Sequence, residues 1–400
     1  MKNIIKAALA VCAAVFVSGC NDAEYGVGGV SAFFNESTTD PGVNGSSVSL
    51  GTEGAEVQLT VTLTDKVDED VTFRLVMDQS VLDTYNKEQS AGYTMIPAEY
   101  CDLGGDIVIP AGSYSKTVSV KVNGNLPTEL TGIPLGLPLR LELVSGNVNV
   151  TPTSSTFVYA LQTVLINDLA QFTGASGLKA ENFNGSYPNA FTIEVRFQVS
   201  DTGNRNRDVF SGGSVLLRFE DPQSDQGDVK GHSAVQFQGS GGYINPNPLV
   251  GFATNTWQHL AVTWDGSTVR LYYNGEEKGN SVFASSVVGD GNFPSVSWLG
   301  GAGGGDHGLG DSWWYGCKIL FTEARIWSVC RTASQIANNI TSVSPDSEGL
   351  EGYWRISKAT YDEDTKSFAD LTGKGHPLVT SKSFTWNENI SSQDTETPWK

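Results

Sequence analysis

The residue types most able to do chemistry in this 400-residue chain fall into two arrangements. One is the run Trp313, Trp314 and Tyr315, which ends the glycine-rich stretch from Gly300 to Gly316. The apolar face of a pyranose stacks on such rings, and long loops between strands are where binding residues concentrate. Because a strand resumes directly after the loop, at least one of the three should turn into the core. The other arrangement is a set of polar side chains at every second position of strand-like segments. In Phe191 to Val199 the apolar set Phe191, Ile193, Val195, Phe197 and Val199 leaves Thr192, Glu194, Arg196 and Gln198 on the opposite face. The same alternation presents Arg218 in Val215 to Glu220, and Gln236 and Gln238 in Ala234 to Gly239. Guanidinium, carboxylate and amide groups aligned across neighbouring strands offer the planar hydrogen bonds that sugar hydroxyls need. An ordinary solvated sheet face fits the same pattern.

Other chemistries find less support. Asp306 and Asp311 in the glycine-rich loop, with Asp370 in the stretch FADLTGKGHP, are oxygen donors suited to Ca2+, although no strict DxDxDG loop occurs. Glycoside hydrolysis needs two carboxylates at a defined separation, one protonated and one ionised. Glu194 has no acidic partner near it in sequence, Glu220 and Asp221 sit at a strand end, and the pattern ExDxxE is absent. No GxSxG elbow, HExxH helix or phosphate-binding loop occurs either. His232, His259, His307 and His376 are scattered without zinc spacing. Cys101, Cys317 and Cys330 are expected as free thiols, because the last two flank one strand that at about 3.3 Å per residue holds them too far apart to bridge. The residues therefore describe a binding protein rather than an enzyme.

The elements that must position these groups are short alternating runs separated by Gly, Pro, Asn and Asp, an all-β pattern. Residues 29–164 make a first sandwich, Ig-like in its strand spacing, with runs such as Val57 to Leu63 and Thr117 to Val122 and one helix at Ser80 to Glu88. Residues 169–388 make a second. There Asp265-Gly266 and Asn274-Gly275 punctuate two runs as hairpin turns, and Thr332 with Gln335 forms a capping box for a short helix carrying Ile336 and Ile340.

Several stretches resemble known families. The segments VMDQSVLDTYNKE, GYTMIPAEY, IVIPAGSYSKTVSV and LPLRLELV resemble, in order, the DUF1735 family, a sandwich at the front of surface lipoproteins in Bacteroidetes. That resemblance implies a spacer role for the first domain. NTWQHLAVTWDGSTVRLYYNGEEKG, flanked by FTIEVRFQV, ARIWSVCRTASQI and GLEGYWRI, resembles laminin-G-like domains. That family implies a concanavalin A-like jelly roll, with Trp257, Trp264, Trp327 and Trp354 as framework, His259 as structural, and ligands on a concave sheet face. Relatives often hold one calcium ion. Where they read Ile-Asp-Glu, this chain has Phe321, Thr322 and Glu323, so one of the family's acidic residues is missing.

The start of the chain implies export. Lys2 and Lys6 precede an apolar run from Ala7 to Val17 that is too short for a permanent span, so residues 1–19 read as a signal peptide. Val17-Ser18-Gly19-Cys20 resembles a lipobox, which makes Cys20 the acylated residue and 20–28 a linker. Asn21, Asp22 and Glu24 resemble the surface-export signal of Bacteroidetes lipoproteins. The membrane is then reached through a lipid anchor only, with outer-membrane glycan-uptake proteins as companions. A net charge of −19 excludes nucleic acid as a partner. The expected function is glycan binding at the cell surface. An adhesin that holds a protein partner is the alternative, and a glycosidase on the jelly roll is a weaker one.

Overall fold

The computed structural model describes residues 29–37, 44–51, 53–127, 130, 133–163, 166–213, 215–279, 288, 291–300, 311–391 and 399–400. The signal peptide, Cys20, the linker and Asp306 lie outside the described residues, as does the side chain of Asp311. Among the described residues no helix is long and apolar enough to cross a membrane.

The chain is all-β and built as two sandwiches. In the first, a five-stranded sheet runs in the order Asn149–Val150, Ser31–Phe34, Ala55–Leu63, Ser115–Val122, Cys101–Asp102. It faces a six-stranded sheet containing Asn44–Leu50, Thr156–Thr163, Leu135–Ser145, Val71–Met77 and Asp106–Ile109. Alternation explains the packing: Val57, Leu59, Val61 and Leu63 turn inward beside Val118, Val120 and Val122, while the residues between them face out. The helix Gln79–Gln89 lies against the outside of the six-stranded sheet through Val81, Leu82 and Tyr85. Asp78 caps its start by accepting from Ser80 N at 2.9 Å, and Ser90, at φ 50°, ends it.

The second sandwich stacks an eight-stranded sheet on a nine-stranded one. The first runs Glu276–Glu277, Val269–Tyr273, Gln258–Trp264, Phe191–Val199, Lys318–Trp327, Ile166–Thr173, Thr385–Ser391, and Leu350–Trp354 also pairs with Lys318–Trp327. The second runs Gly242–Ile244, Ala234–Gly239, Val215–Asp221, Arg207–Gly212, Val296–Trp298, Leu178–Ala180, Leu378–Val379, Ser367–Phe368, Tyr361–Asp362. Between them Phe191, Ile193, Val195, Phe197 and Val199 meet Val215, Leu217, Phe219, Val235 and Phe237 in one continuous core. Trp298, Trp314 and Trp354 are fully buried in the same core, and each large apolar side chain there contributes about 1.5–3 kcal/mol. The predicted turns are local chemistry. Asn274 and Gly275 hold φ of 52° and 85°, as a primed hairpin turn requires, and the Asp265 carboxylate accepts from Ser267 N and Thr268 N. The capping box is present: Thr332 Oγ1 accepts from Gln335 N, and Gln335 Oε1 accepts from Thr332 N, at the start of the helix Ala333–Asn338.

The two sandwiches touch. A helix leaves its last carbonyls without partners in its own turns. At the end of Gln79–Gln89 the second domain supplies them: Gln335 Nε2 donates to Glu88 O at 2.7 Å, Asn339 Nδ2 and Arg331 Nη2 to Gln89 O at 3.1 and 3.3 Å, and Ser347 Oγ to Ser90 O at 3.2 Å. Tyr93 Oη donates in return to Asn338 O at 2.6 Å, and Thr341 Oγ1 to Gln162 Oε1 at 3.1 Å. A Cβ on Gly92 would sit 3.0 Å from the Ser344 backbone, tighter than ordinary van der Waals contact, so glycine lets the two domains approach closely at that point.

Candidate functional site

The structure sends the predicted polar residues to two opposite faces of the second sandwich. Thr192, Glu194, Arg196 and Gln198 do lie on the non-core side of the eight-stranded sheet, yet all nine residues of Phe191–Val199 are buried. The expectation that this face meets solvent is corrected. The helix Ala333–Asn338 lies over it, with Ile336 packed on Ala261 and Tyr272, and the first domain adjoins through Arg331 and Asn339.

Beneath this cover is a closed charge network. Glu194, with no exposed surface, receives Arg331 Nη1 at 2.6 Å and Arg325 Nη1 at 3.1 Å, and the His259 ring lies 3.4 Å away. Glu323 takes Arg355 Nε at 2.5 Å, Tyr353 Oη at 2.6 Å and the second arm of Arg325. Arg196 stacks 4.5 Å from the Trp257 ring centre, and burial lowers its guanidinium to about 10 against the pull of Glu323. Gln198 is fully buried. Burial alone would raise the Glu194 carboxyl, but Arg331, His259 and Arg325 outweigh it and hold it well below the usual carboxylate range. Burial pushes the His259 imidazole down, with Glu194 opposing.

These directions set a pH dependence. A histidine depressed in the fold stabilises above its ordinary value of 6.5, and that contribution is lost as pH falls below it. Glu194 and Glu323, also depressed, add their losses below their ordinary value of 4.5. The melting temperature should therefore be level above pH 7 and decline steadily from about pH 6 downward. A melting temperature that rises between pH 7 and pH 5 would contradict the network's role.

The outer face of the nine-stranded sheet is different. Cross-strand partners point to the same side. Gln236, Arg218 and Asp208 form one such row, and Tyr243, Gln238, Leu216, Ser211 and Ser297 form the next. Arg218 donates through Nε and Nη2 to Gln236 Oε1 at 3.1 and 2.8 Å, and through Nη1 to Asn206 Oδ1 at 3.0 Å. Gln236 Nε2 passes the chain on to Asn245 Oδ1 at 2.9 Å. The expectation that Gln236 is exposed is thus corrected: it is 3% exposed, held between Arg218 and Asn245, whereas Gln238 is half-buried. Tyr243, at the sheet edge opposite Gln238, is 67% exposed.

The aromatic run joins this face through the segment 201–207. Arg207 Nε donates to Trp313 O at 2.8 Å, its other nitrogens bind Asp201, and Asn204 Nδ2 reaches Trp313 O at 3.4 Å. Trp314 is the ring that turns inward: it is fully buried, donates from Nε1 to Asp208 Oδ1 at 3.2 Å, and lies 6.4 Å from Phe219. Trp313 is half-buried and Tyr315 is 84% exposed. The Trp314 ring is therefore core, and its removal acts on the fold. Trp314→Ala should cost about 3–5 kcal/mol of stability, whereas Tyr315→Ala should leave stability within about 0.5 kcal/mol. Parallel denaturant melts distinguish them, and equal losses would refute the assignment.

Asp370 is placed as a loop organiser. Its carboxylate accepts from Tyr353 N, Thr372 N, Thr372 Oγ1 and His376 N. Among the described residues no three His, Cys, Asp or Glu side chains gather as a metal site, and Cys101, Cys317 and Cys330 are free.

Sequence reading missed Asn204, Asn206, Asn245 and Tyr243. Asn206 holds φ 60°, a turn conformation that asparagine tolerates, so GNRNR reads simply as a loop.

Residues 172–337 match the family model of the concanavalin A-like lectin/glucanases superfamily, laminin-G type, and residues 29–148 match the model of an N-terminal-domain family. A comparison with curated proteins finds no match. Among solved structures, the chain is similar to a proposed carbohydrate-binding protein from Bacteroides ovatus, with 20% identity over 92% of this chain and 99% of that one and a TM-score of 0.48. It is also similar to a SAP-like pentraxin from Limulus polyphemus, with 14% identity over 59% and 97% of the two chains and a TM-score of 0.31. A third is domain 4 of an extracellular arabinanase from Geobacillus stearothermophilus, in complex with arabinotriose, with 21% identity over 38% and 66% and a TM-score of 0.27. The chain thus joins a DUF1735-like N-terminal domain to a laminin-G-type domain of the concanavalin A-like lectin/glucanases superfamily.

Proposed function

We propose that this protein is a cell-surface lipoprotein, anchored in the outer membrane through acylated Cys20, that binds glycans as an accessory to their capture and uptake. The observation that carries the reading is the ordered row Asn245, Gln236, Arg218 and Asn206, flanked by exposed Tyr243 and by Trp313 and Tyr315. Amide and guanidinium planes fix the directions of hydroxyl groups, and tyrosine rings receive the apolar face of a sugar. The membership of the second domain in a lectin and glucanase superfamily supports the same conclusion.

Binding without hydrolysis fits the carboxylates of this face. Glu220 is held by Arg205 and by the Asn206 backbone N–H, and Asp208 by the Trp314 indole, so neither is presented to a glycosidic oxygen. Calcium held by the glycine-rich loop would add to the site, and outer-membrane uptake proteins would receive the captured glycan.

The test is a glycan array probed with the mature chain, with and without calcium, followed by product analysis of each hit. Binding without cleavage is expected, and Tyr315→Ala with Tyr243→Ala should each weaken it by about 1–3 kcal/mol, the scale of base stacking on aromatic side chains. Cleavage would make the protein a glycosidase, and a blank array would favour a protein ligand.

A further inference from the structure

We infer that the face around Arg218 takes a neutral oligosaccharide in preference to an acidic one, an inference that rests on the glycan-binding reading and adds the charge class of the ligand. The guanidiniums in and beside this face are already matched by carboxylates, Arg205 and Arg218 sharing Glu220 and Arg207 taking Asp201. Arg205 is ion-paired with Glu220, whose other oxygen lies 3.6 Å from Arg218 Nε. Arg207 binds Asp201 Oδ2 at 2.7 Å. Asp208 stands opposite Arg218 in the adjoining strand, which brings a further negative charge to the same row. Glu220 and Asp208 are nearly buried, with 3% and 2% exposure, so their charges stay unscreened by solvent.

A ligand carboxylate or sulfate entering here would find, among the described residues, no cation of this face lacking a counter-charge. It would have to displace Glu220 or remain uncompensated beside it, and either arrangement costs more than burying a hydroxyl. The remaining polar groups, Asn204, Asn206, Gln236 and Asn245, carry no charge. Each amide both donates and accepts, as a sugar hydroxyl does. The net charge of −19 opposes a polyanion at longer range as well.

The mature chain would be titrated calorimetrically with matched pairs: lactose against sialyllactose, xylo-oligosaccharide against its glucuronate-bearing form, and carboxyl-reduced against native oligogalacturonate. Titrations at about 20 mM and about 500 mM NaCl separate charge-driven from hydroxyl-driven binding. The expected result is that a neutral member binds at least about tenfold more tightly than its acidic partner, with little change across the two salt conditions. Tighter binding of the acidic partners, weakening with salt, would overturn this inference and leave the glycan reading standing; no binding by any member would overturn both. In a second arm Glu220→Gln releases Arg205 and Arg218 from their carboxylate, and affinity for the acidic members should rise several-fold. If the folded variant, judged by an unchanged circular dichroism spectrum, gains no affinity for them, charge pairing is not what excludes acids.

Discussion

Glu194→Ala should lower the stability of the second domain by about 3–5 kcal/mol, the penalty for breaking a buried ion pair from one side. The size follows from what remains behind. Arg325 and Arg331 are both fully buried, and each loses a carboxylate contact, at 3.1 and 2.6 Å. Arg325 retains Glu323, but Arg331 keeps no carboxylate among the described residues, only the carbonyl oxygens of Gln89 and Gln335 and the face of the Trp327 ring at 4.4 Å. Removing charge from both sides should be gentler, so Glu194→Gln combined with Arg331→Met should recover part of the loss. Denaturant melts of the three proteins measure this, and a loss below about 1 kcal/mol for the single variant would mean the network is solvated.

A chain that begins at residue 166, lacking the first sandwich, should melt well below the chain that begins at residue 29. Arg331, Gln335, Asn339 and Ser347 would lose the carbonyls of Glu88, Gln89 and Ser90, and Tyr93 would leave Asn338 O. Arg331 also loses the negative end of a helix dipole. With net contributions of about 0.5–1.5 kcal/mol per hydrogen bond, the loss should be on the order of 4 kcal/mol, or roughly 8–16 °C in melting temperature. Hydrogen exchange gives an independent reading: the strand Phe191–Val199 and the helix Ala333–Asn338 should lose protection in the shorter chain. Identical melting and protection would show that the two sandwiches are energetically separate, as the spacer role expected from the sequence would have it.

How far the sequence could be read followed the range of the forces involved. The turns at Asp265-Gly266 and Asn274-Gly275 and the capping box at Thr332 depend on residues a few positions apart, and these were legible. Strand alternation correctly divided Phe191 to Val199 into two faces. It could not tell which of them would be covered, because the cover comes from Ile336 and from a helix end near Gln89, distant in sequence. An Arg or Glu at an alternating position looks solvent-facing until its partner is known, and here the two arginine partners of Glu194 are more than 130 residues away. In the aromatic run, one inward ring was expected, but only the Asp208 partner and the core contacts select Trp314. Tyr243 follows Gly241 and Gly242 at a strand edge, where nothing local distinguishes a platform from a turn.

The contact between the two sandwiches also bears on how the molecule would respond to load. Its first domain abuts the outer side of the eight-stranded sheet, while the Arg218 row lies on the far side of the sandwich, across both sheets. A polymer tugging on that far side would not swing the domain about a loose tether. The pull would travel through two interlocked sheets into a joint pinned by Arg331 and by the backbone contact at Gly92. The molecule would act as a stiff bracket that holds the Arg218 row at one fixed angle to the first domain.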